Sequence, residues 1–237
     1  MLFADGDEYN WFDSIFHFYP QIDKEQLLPA NPDGKSKILL DFFQNFYEGE
    51  KVKNEIVQKV VSYNEHWQIH RSQVEDALSD AFQYDVRKTF NDITGNITFN
   101  PICPRFLETC TFDVFYLNSE RGALGISLHE VIHFVWFDIW QKHFDDSAKN
   151  YETPHLKWLF SEMVVDPIMR KDSRLSEINP YFDDGCVYPY FYKVKINGKP
   201  ILETLYEMYS CQNIVSFMEQ GYALCQKHEA EIRAQIK

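Results

Sequence analysis

The residues best suited to chemistry lie in the stretch Ser127-Leu128-His129-Glu130-Val131-Ile132-His133-Phe134, which contains His-Glu-x-x-His. On a helix, residues four apart share a face, so His129 and His133 present two imidazoles to one metal ion. Glu130 follows the first histidine directly, which brings its carboxylate near a water at the metal rather than into the ligand set. Two nitrogen ligands, an open coordination position and an adjacent base are the parts that metal-assisted hydrolysis requires.

Ordinary packing is the competing explanation. In 237 residues with eight histidines, the pattern arises by chance on the order of one time in a hundred, given average residue usage. The helix continues as Phe134-Val135-Trp136-Phe137-Asp138-Ile139-Trp140, apolar on nearly every side, which marks it as central. Polar groups buried there without partners would each cost about 2–7 kcal/mol, and a charge more. A metal ion offsets that cost.

A catalytic zinc takes three protein ligands and leaves one position open. Glu162, in Glu162-Met163-Val164-Val165-Asp166, is the strongest third candidate. Glu162 and Asp166 share a face of an otherwise apolar helix, where a solvated acidic face fits poorly with Leu159, Met163 and Val165. Asp166 is then expected to accept the second ring N–H of a ligand histidine, His129 first, and so fix its tautomer.

With these two motifs the chain resembles the gluzincin clan of zinc metallopeptidases, which pair His-Glu-x-x-His on one helix with Glu-x-x-x-Asp on a later one. Uncharged Ser127, Val131, Ile132 and Phe134, followed by Val135, agree with the extended zincin pattern. A metzincin would need glycine at 136 and histidine at 139, where this chain has Trp136 and Ile139. The resemblance covers roughly residues 90–170 and implies a zincin-like catalytic core and one Zn2+ per chain. It makes His129, His133 and Glu162 the zinc ligands, Glu130 the base and Asp166 an outer partner. It also implies a tyrosine or histidine that steadies the oxyanion. Tyr188 and Tyr190 are the leading candidates among Tyr181, Tyr188, Tyr190, Tyr206 and Tyr209, and the sequence does not choose between them. The Gly-x-Met-Glu-Asn run of the aminopeptidase branch is missing, which favours an endo- or oligopeptidase acting on a peptide or protein substrate. A zinc hydrolase of a non-peptide substrate and a non-catalytic, zinc-stapled binding protein are the alternatives.

The elements that must position these residues read as an α+β fold, mainly helical with a small β-sheet. Residues 1–90 form an expected helical N-terminal region, and residues 91–237 the core. Helices are expected over 23–28, Lys37–Tyr47, Lys51–Tyr63 and His66–Tyr84, with Val74, Ala77, Leu78, Ala81 and Phe82 facing inward. Pro29 and the turn residues Asn31-Pro32-Asp33-Gly34 stop the first of these. Ile93–Ile102 and Thr111–Leu117 read as neighbouring antiparallel strands, the second lying where the clan's edge strand would pair with substrate. Asn118-Ser119 is the expected cap of the motif helix, with Gly122 and Gly125 permitting close approach to it. Thr153-Pro154 reads as the start of the Glu162 helix, which Pro167 ends or kinks. A tyrosine-rich loop over 181–192 and helices over Ile201–Cys211 and Ile214–Ile236 complete the chain. His66 and His70 are also four apart, but they lack a third ligand and flank Trp67 on an amphipathic face.

Composition narrows the partners. A net charge of −13 argues against nucleic acid, whose affinity for proteins comes largely from lysine and arginine on phosphates. No apolar run reaches the roughly 18 residues of a membrane span, so no membrane association is expected. Met1–Glu8 lacks the basic and small-residue features of a secretory signal, which gives a cytoplasmic expectation. Five scattered cysteines fit reduced thiols, with a Cys103–Cys110 bridge as the one alternative.

Overall fold

The computed structural model describes residues 11–90, 93–144, 150–180, 182–183 and 185–236, and it is mainly helical with two small sheets. The N-terminal stretch Met1–Glu8 and Tyr181 lie outside the described residues. Several helices start where a side chain satisfies free amide groups. After α1 (Trp11–Phe18), Asp23 caps α2 (Lys24–Leu27) by accepting from Glu25 N and Gln26 N. Asn31-Pro32-Asp33-Gly34 does not stop a helix but begins α3 (Pro32–Glu48). Asn31 accepts from Gly34 N at 2.8 Å, and Pro32 takes a position where no N–H is needed. The two helices expected next are one, α4 (Glu50–Phe82), because nothing at Asn64-Glu65 interrupts them. Its inward face is the expected one: Val74, Ala77, Leu78, Ala81 and Phe82 are all buried. The short α5 (Arg87–Phe90) follows.

The chain forms two units that do not meet at residue 90. One joins Met1–Glu65 to Thr94–Ala123, and the other joins His66–Ile93 to Leu124–Lys237. In the first, β1 (Thr94–Thr98), β2 (Arg105–Phe106) and β3 (Thr111–Phe115) form a sheet with β3 central. β1 and β3 are parallel, in register from Thr94↔Thr111 to Thr98↔Phe115, rather than antiparallel as expected. The reason lies in the connection. Residues 99–110 are long enough for a crossover, and they pass through β2, antiparallel to β3, before β3 begins. The core of this unit is aromatic. Trp11, Phe16, Tyr19, Phe115 and Tyr116 are buried, with Phe42, Phe43, Phe46 and Phe99 packed against them. The Tyr19 hydroxyl donates to the Phe99 carbonyl at 2.7 Å, as a buried tyrosine must find a partner.

The motif helix, α6 (Glu120–His143), starts where its cap was expected: Gly122 N donates to Ser119 Oγ at 3.0 Å. From Leu128 through Trp140 nearly every apolar side chain is buried. The helix carrying Glu162, α7 (Leu156–Lys171), begins after His155 rather than at Thr153-Pro154, a pair joined by a cis peptide. It also runs on through Pro167. Every residue from Leu159 to Met169 is buried, and that packing outweighs the single hydrogen bond a proline forfeits. After α8 (Ser173–Ile178) come β4 (Lys195–Ile196) and β5 (Lys199–Pro200), a hairpin the sequence reading missed. Asn197 and Gly198 both have positive φ in its turn, the Asn-Gly preference of a type I′ turn. The chain closes with α9 (Ile201–Ser210), α10 (Ile214–Lys227) and α11 (Glu229–Gln235), so the last expected helix is divided at His228.

In the second unit α7 packs on α8, α9 and α10, and the Trp136 ring meets Phe160 and Phe217 edge-on at 5.3 and 6.1 Å. Gly221 lets α10 approach α7, since a Cβ there would lie 2.7 Å from the Phe160 ring. Gly221→Val is therefore expected to destabilise the fold by about 1–3 kcal/mol through overpacking, read as a lowered denaturation midpoint. Among the described residues, no helix is long and apolar enough to cross a membrane. None of the five cysteines is in a disulfide, so Cys103 and Cys110 are not bridged.

Candidate metal centre

One turn of α6 and the middle of α7 bring His129, His133 and Glu162 together. His129 Nε2 lies 3.1 Å from His133 Nε2. Glu162 Oε2 lies 3.6 Å from the first and 3.5 Å from the second. Among the described residues this is the group of three whose ligand atoms could hold one metal ion. The spacing suits a single ion: tetrahedral bonds of about 2.0–2.1 Å separate neighbouring ligand atoms by about 3.3–3.4 Å. His133 and Glu162 are buried, whereas the His129 side chain remains 21% exposed. The trio therefore has a dry interior and one edge open to solvent, as a metal site with a vacant ligand position requires.

The second nitrogen of His129 fixes its tautomer. Nδ1 lies 3.2 Å from the backbone carbonyl of Cys186. A carbonyl only accepts, so Nδ1 carries the hydrogen and Nε2 of the neutral ring offers its lone pair to the centre. The expected partner was the Asp166 carboxylate. Asp166 instead pairs with Arg170 one turn on, at 2.7 Å, and its Oδ1 faces the Cys186 thiol at 4.0 Å. The preference is understandable: a buried carboxylate gains more from a guanidinium than from a neutral imidazole. Arg170 also binds Glu203 at 2.8 Å and lies over the Tyr206 ring at 4.3 Å, tying α7 to α9.

Burial raises the Asp166 carboxyl above its ordinary value, and the Arg170 charge offsets part of that rise. Burial first, then the charge of Asp166, push the Cys186 thiol up to about 12, so it stays neutral near pH 7. Replacing Arg170 by Met would leave Asp166 buried without its cation. A loss of about 2–3 kcal/mol in denaturant unfolding is expected, below the full value for a buried pair because Arg170 is itself partly exposed.

Glu130 is buried on α6, next to His129 in sequence. Gly125 does permit a close approach, to the chain at Asn179-Pro180: a Cβ would lie 2.6 Å from Pro180 Cδ. The tyrosine candidates separate. Tyr188 and Tyr190 are half-buried and stacked, with centroids 5.4 Å apart, and Tyr188 also lies beside Trp158. Tyr206 lies under Arg170. Tyr209 is buried and donates to the Ala81 carbonyl. Sequence reasoning overlooked Cys186 and Tyr192. The Tyr192 hydroxyl accepts the Cys186 N–H at 3.0 Å, and its ring lies against Gly185, whose φ of +106° favours glycine. A Gly followed by Cys within a tyrosine-rich loop was the available signal. His66 and His70 lie with ring centroids 4.9 Å apart on α4.

Comparison with protein families, curated proteins and solved structures found no match to this chain.

Proposed function

We propose that this chain is a zinc-dependent peptidase with a zincin-like core, hydrolysing internal bonds of peptides or proteins. The observation that carries the reading is the convergence of His129 Nε2, His133 Nε2 and Glu162 Oε2 within 3.6 Å of one another in a largely buried setting. Lone-pair atoms gathered this way repel one another unless a cation or a shared proton lies between them. His129 and His133 would hold the ion as neutral ligands and Glu162 as the anionic one. A zinc ion bound there supplies Lewis acidity, lowering the pKa of water toward about 7 and polarising a carbonyl oxygen.

The remaining steps belong to the protein. Glu130 takes the proton of the water that attacks the scissile carbonyl carbon, and then delivers it to the amide nitrogen as the C–N bond breaks. One water is consumed, and a carboxylate and an amine are released. The Cys186 carbonyl keeps the His129 ring turned through both steps.

The first test is elemental analysis of the purified protein beside a screen of quenched fluorescent peptides, with esters and small amides as controls. One zinc per chain, and peptide cleavage abolished by a chelator and restored by zinc, is the expected result. No zinc even after reconstitution would overturn the metal reading. Zinc with cleavage of esters or amides alone would replace the peptide substrate by a smaller one.

A further inference from the structure

Beside the proposed ligand His129 lies a backbone oxygen, that of Cys186. Cys186 is held through both of its main-chain groups, which belong to the two peptide planes that meet at its Cα. Its carbonyl accepts from His129 Nδ1 at 3.2 Å, and its N–H donates to the Tyr192 hydroxyl at 3.0 Å. That hydroxyl also lies 4.0 Å from Cys186 Sγ, on the thiol whose other side faces Asp166 Oδ1 at 4.0 Å. The Tyr192 ring is fixed in turn by Gly185, where a Cβ would lie 3.0 Å from Tyr192 Cε2. Residues 185–192 thus form a small closed loop, and its hydrogen bond from Cys186 N to Tyr192 Oη anchors the residue whose carbonyl faces His129.

We propose that Tyr192 is a positioning residue for the proposed metal ligand His129, acting through the main chain of Cys186. This inference rests on the metal-site reading above, but it assigns a role to a residue on a different segment from either ligand helix. Tyr192 itself touches neither the ligand atoms nor Glu130 in this role. Its hydroxyl anchors Cys186 by the N–H, and the carbonyl of the same residue, on the next peptide plane, holds the imidazole in the tautomer that leaves Nε2 unprotonated. Outer partners of this kind typically alter metal affinity about ten- to a hundredfold.

Tyr192→Phe keeps the ring against Gly185 and removes only the hydroxyl. Zinc affinity would be measured by competition with a chromophoric chelator, and long-range 1H–15N spectra of the metal-free protein would report the His129 tautomer. The expected result is zinc binding about ten- to a hundredfold weaker and a His129 ring divided between Nδ1–H and Nε2–H forms. The metal-free melting temperature should stay close to that of the parent. Cys186→Ala keeps both backbone groups and removes the thiol that Tyr192 and Asp166 also face, so it should weaken zinc binding less than Tyr192→Phe does.

Parent-like zinc affinity and a single Nδ1–H tautomer in Tyr192→Phe would overturn the proposal. So would an equal loss in Cys186→Ala, which would give the role to the thiol and Asp166. A parent protein that binds no zinc fails the metal reading instead, and the tautomer measurement still decides whether Tyr192 orients His129.

Discussion

Glu130→Gln is expected to retain one zinc per chain and to lose peptide hydrolysis by about a hundredfold to ten-thousandfold, the usual contribution of a positioned general base. In barrier height this is about 3–5 kcal/mol. Glutamine has nearly the same shape, so it fills the same buried space on α6, but its amide cannot take a proton from water. Glu130 is only 6% exposed, so thermal unfolding of the variant gives the control for folding. Turnover of the best peptide and zinc content would be measured on the same preparation. Unchanged turnover would remove Glu130 from the mechanism. Loss of zinc together with activity would move it into the ligand set.

The clustering of His129, His133 and Glu162 was legible in the sequence because helical spacing is a local property. His129 and His133 needed only one helix, and the helix announced itself by its apolar run and by Ser119, whose hydroxyl does cap it. Glu162 was legible for a related reason. A carboxylate in a stretch as apolar as Leu159–Met169 requires a partner, and the structure places it at the histidines. The partner of His129 Nδ1 was not legible. It is a main-chain carbonyl, present at every residue and distinguished only by where the 185–192 loop folds.

The sequence reading assigned Asp166 to His129 from spacing alone. It overlooked Arg170, one helical turn away, which competes for the same carboxylate and prevails. Pro167 shows the same limit from the other side. Read locally it breaks a helix, yet burial on every side carries α7 past it. Asn197-Gly198 was a different kind of miss, because its turn chemistry was visible and only the two-residue strands beside it were too short to register.

Glu162→Ala should separate folding from metal binding. It removes one of three ligands and the only anionic one, so zinc affinity should fall at least a hundredfold, roughly the upper limit for loss of an outer partner alone. The effect can be read without any substrate. Free zinc at about a thousand times Kd stabilises a folded protein by about 4.1 kcal/mol, and at ten times Kd by only about 1.4 kcal/mol. The zinc-dependent rise in melting temperature should therefore shrink to about a third or less in the variant. The metal-free proteins should differ far less, since removing Glu162 also relieves a buried carboxylate of its desolvation. An equal zinc response in parent and variant would mean that the ion, if bound, is held without Glu162. The geometry opposes that result: with Glu162 gone, His129 and His133 are two ligands for an ion that takes at least three from a protein, and α7 would no longer be tied to the centre.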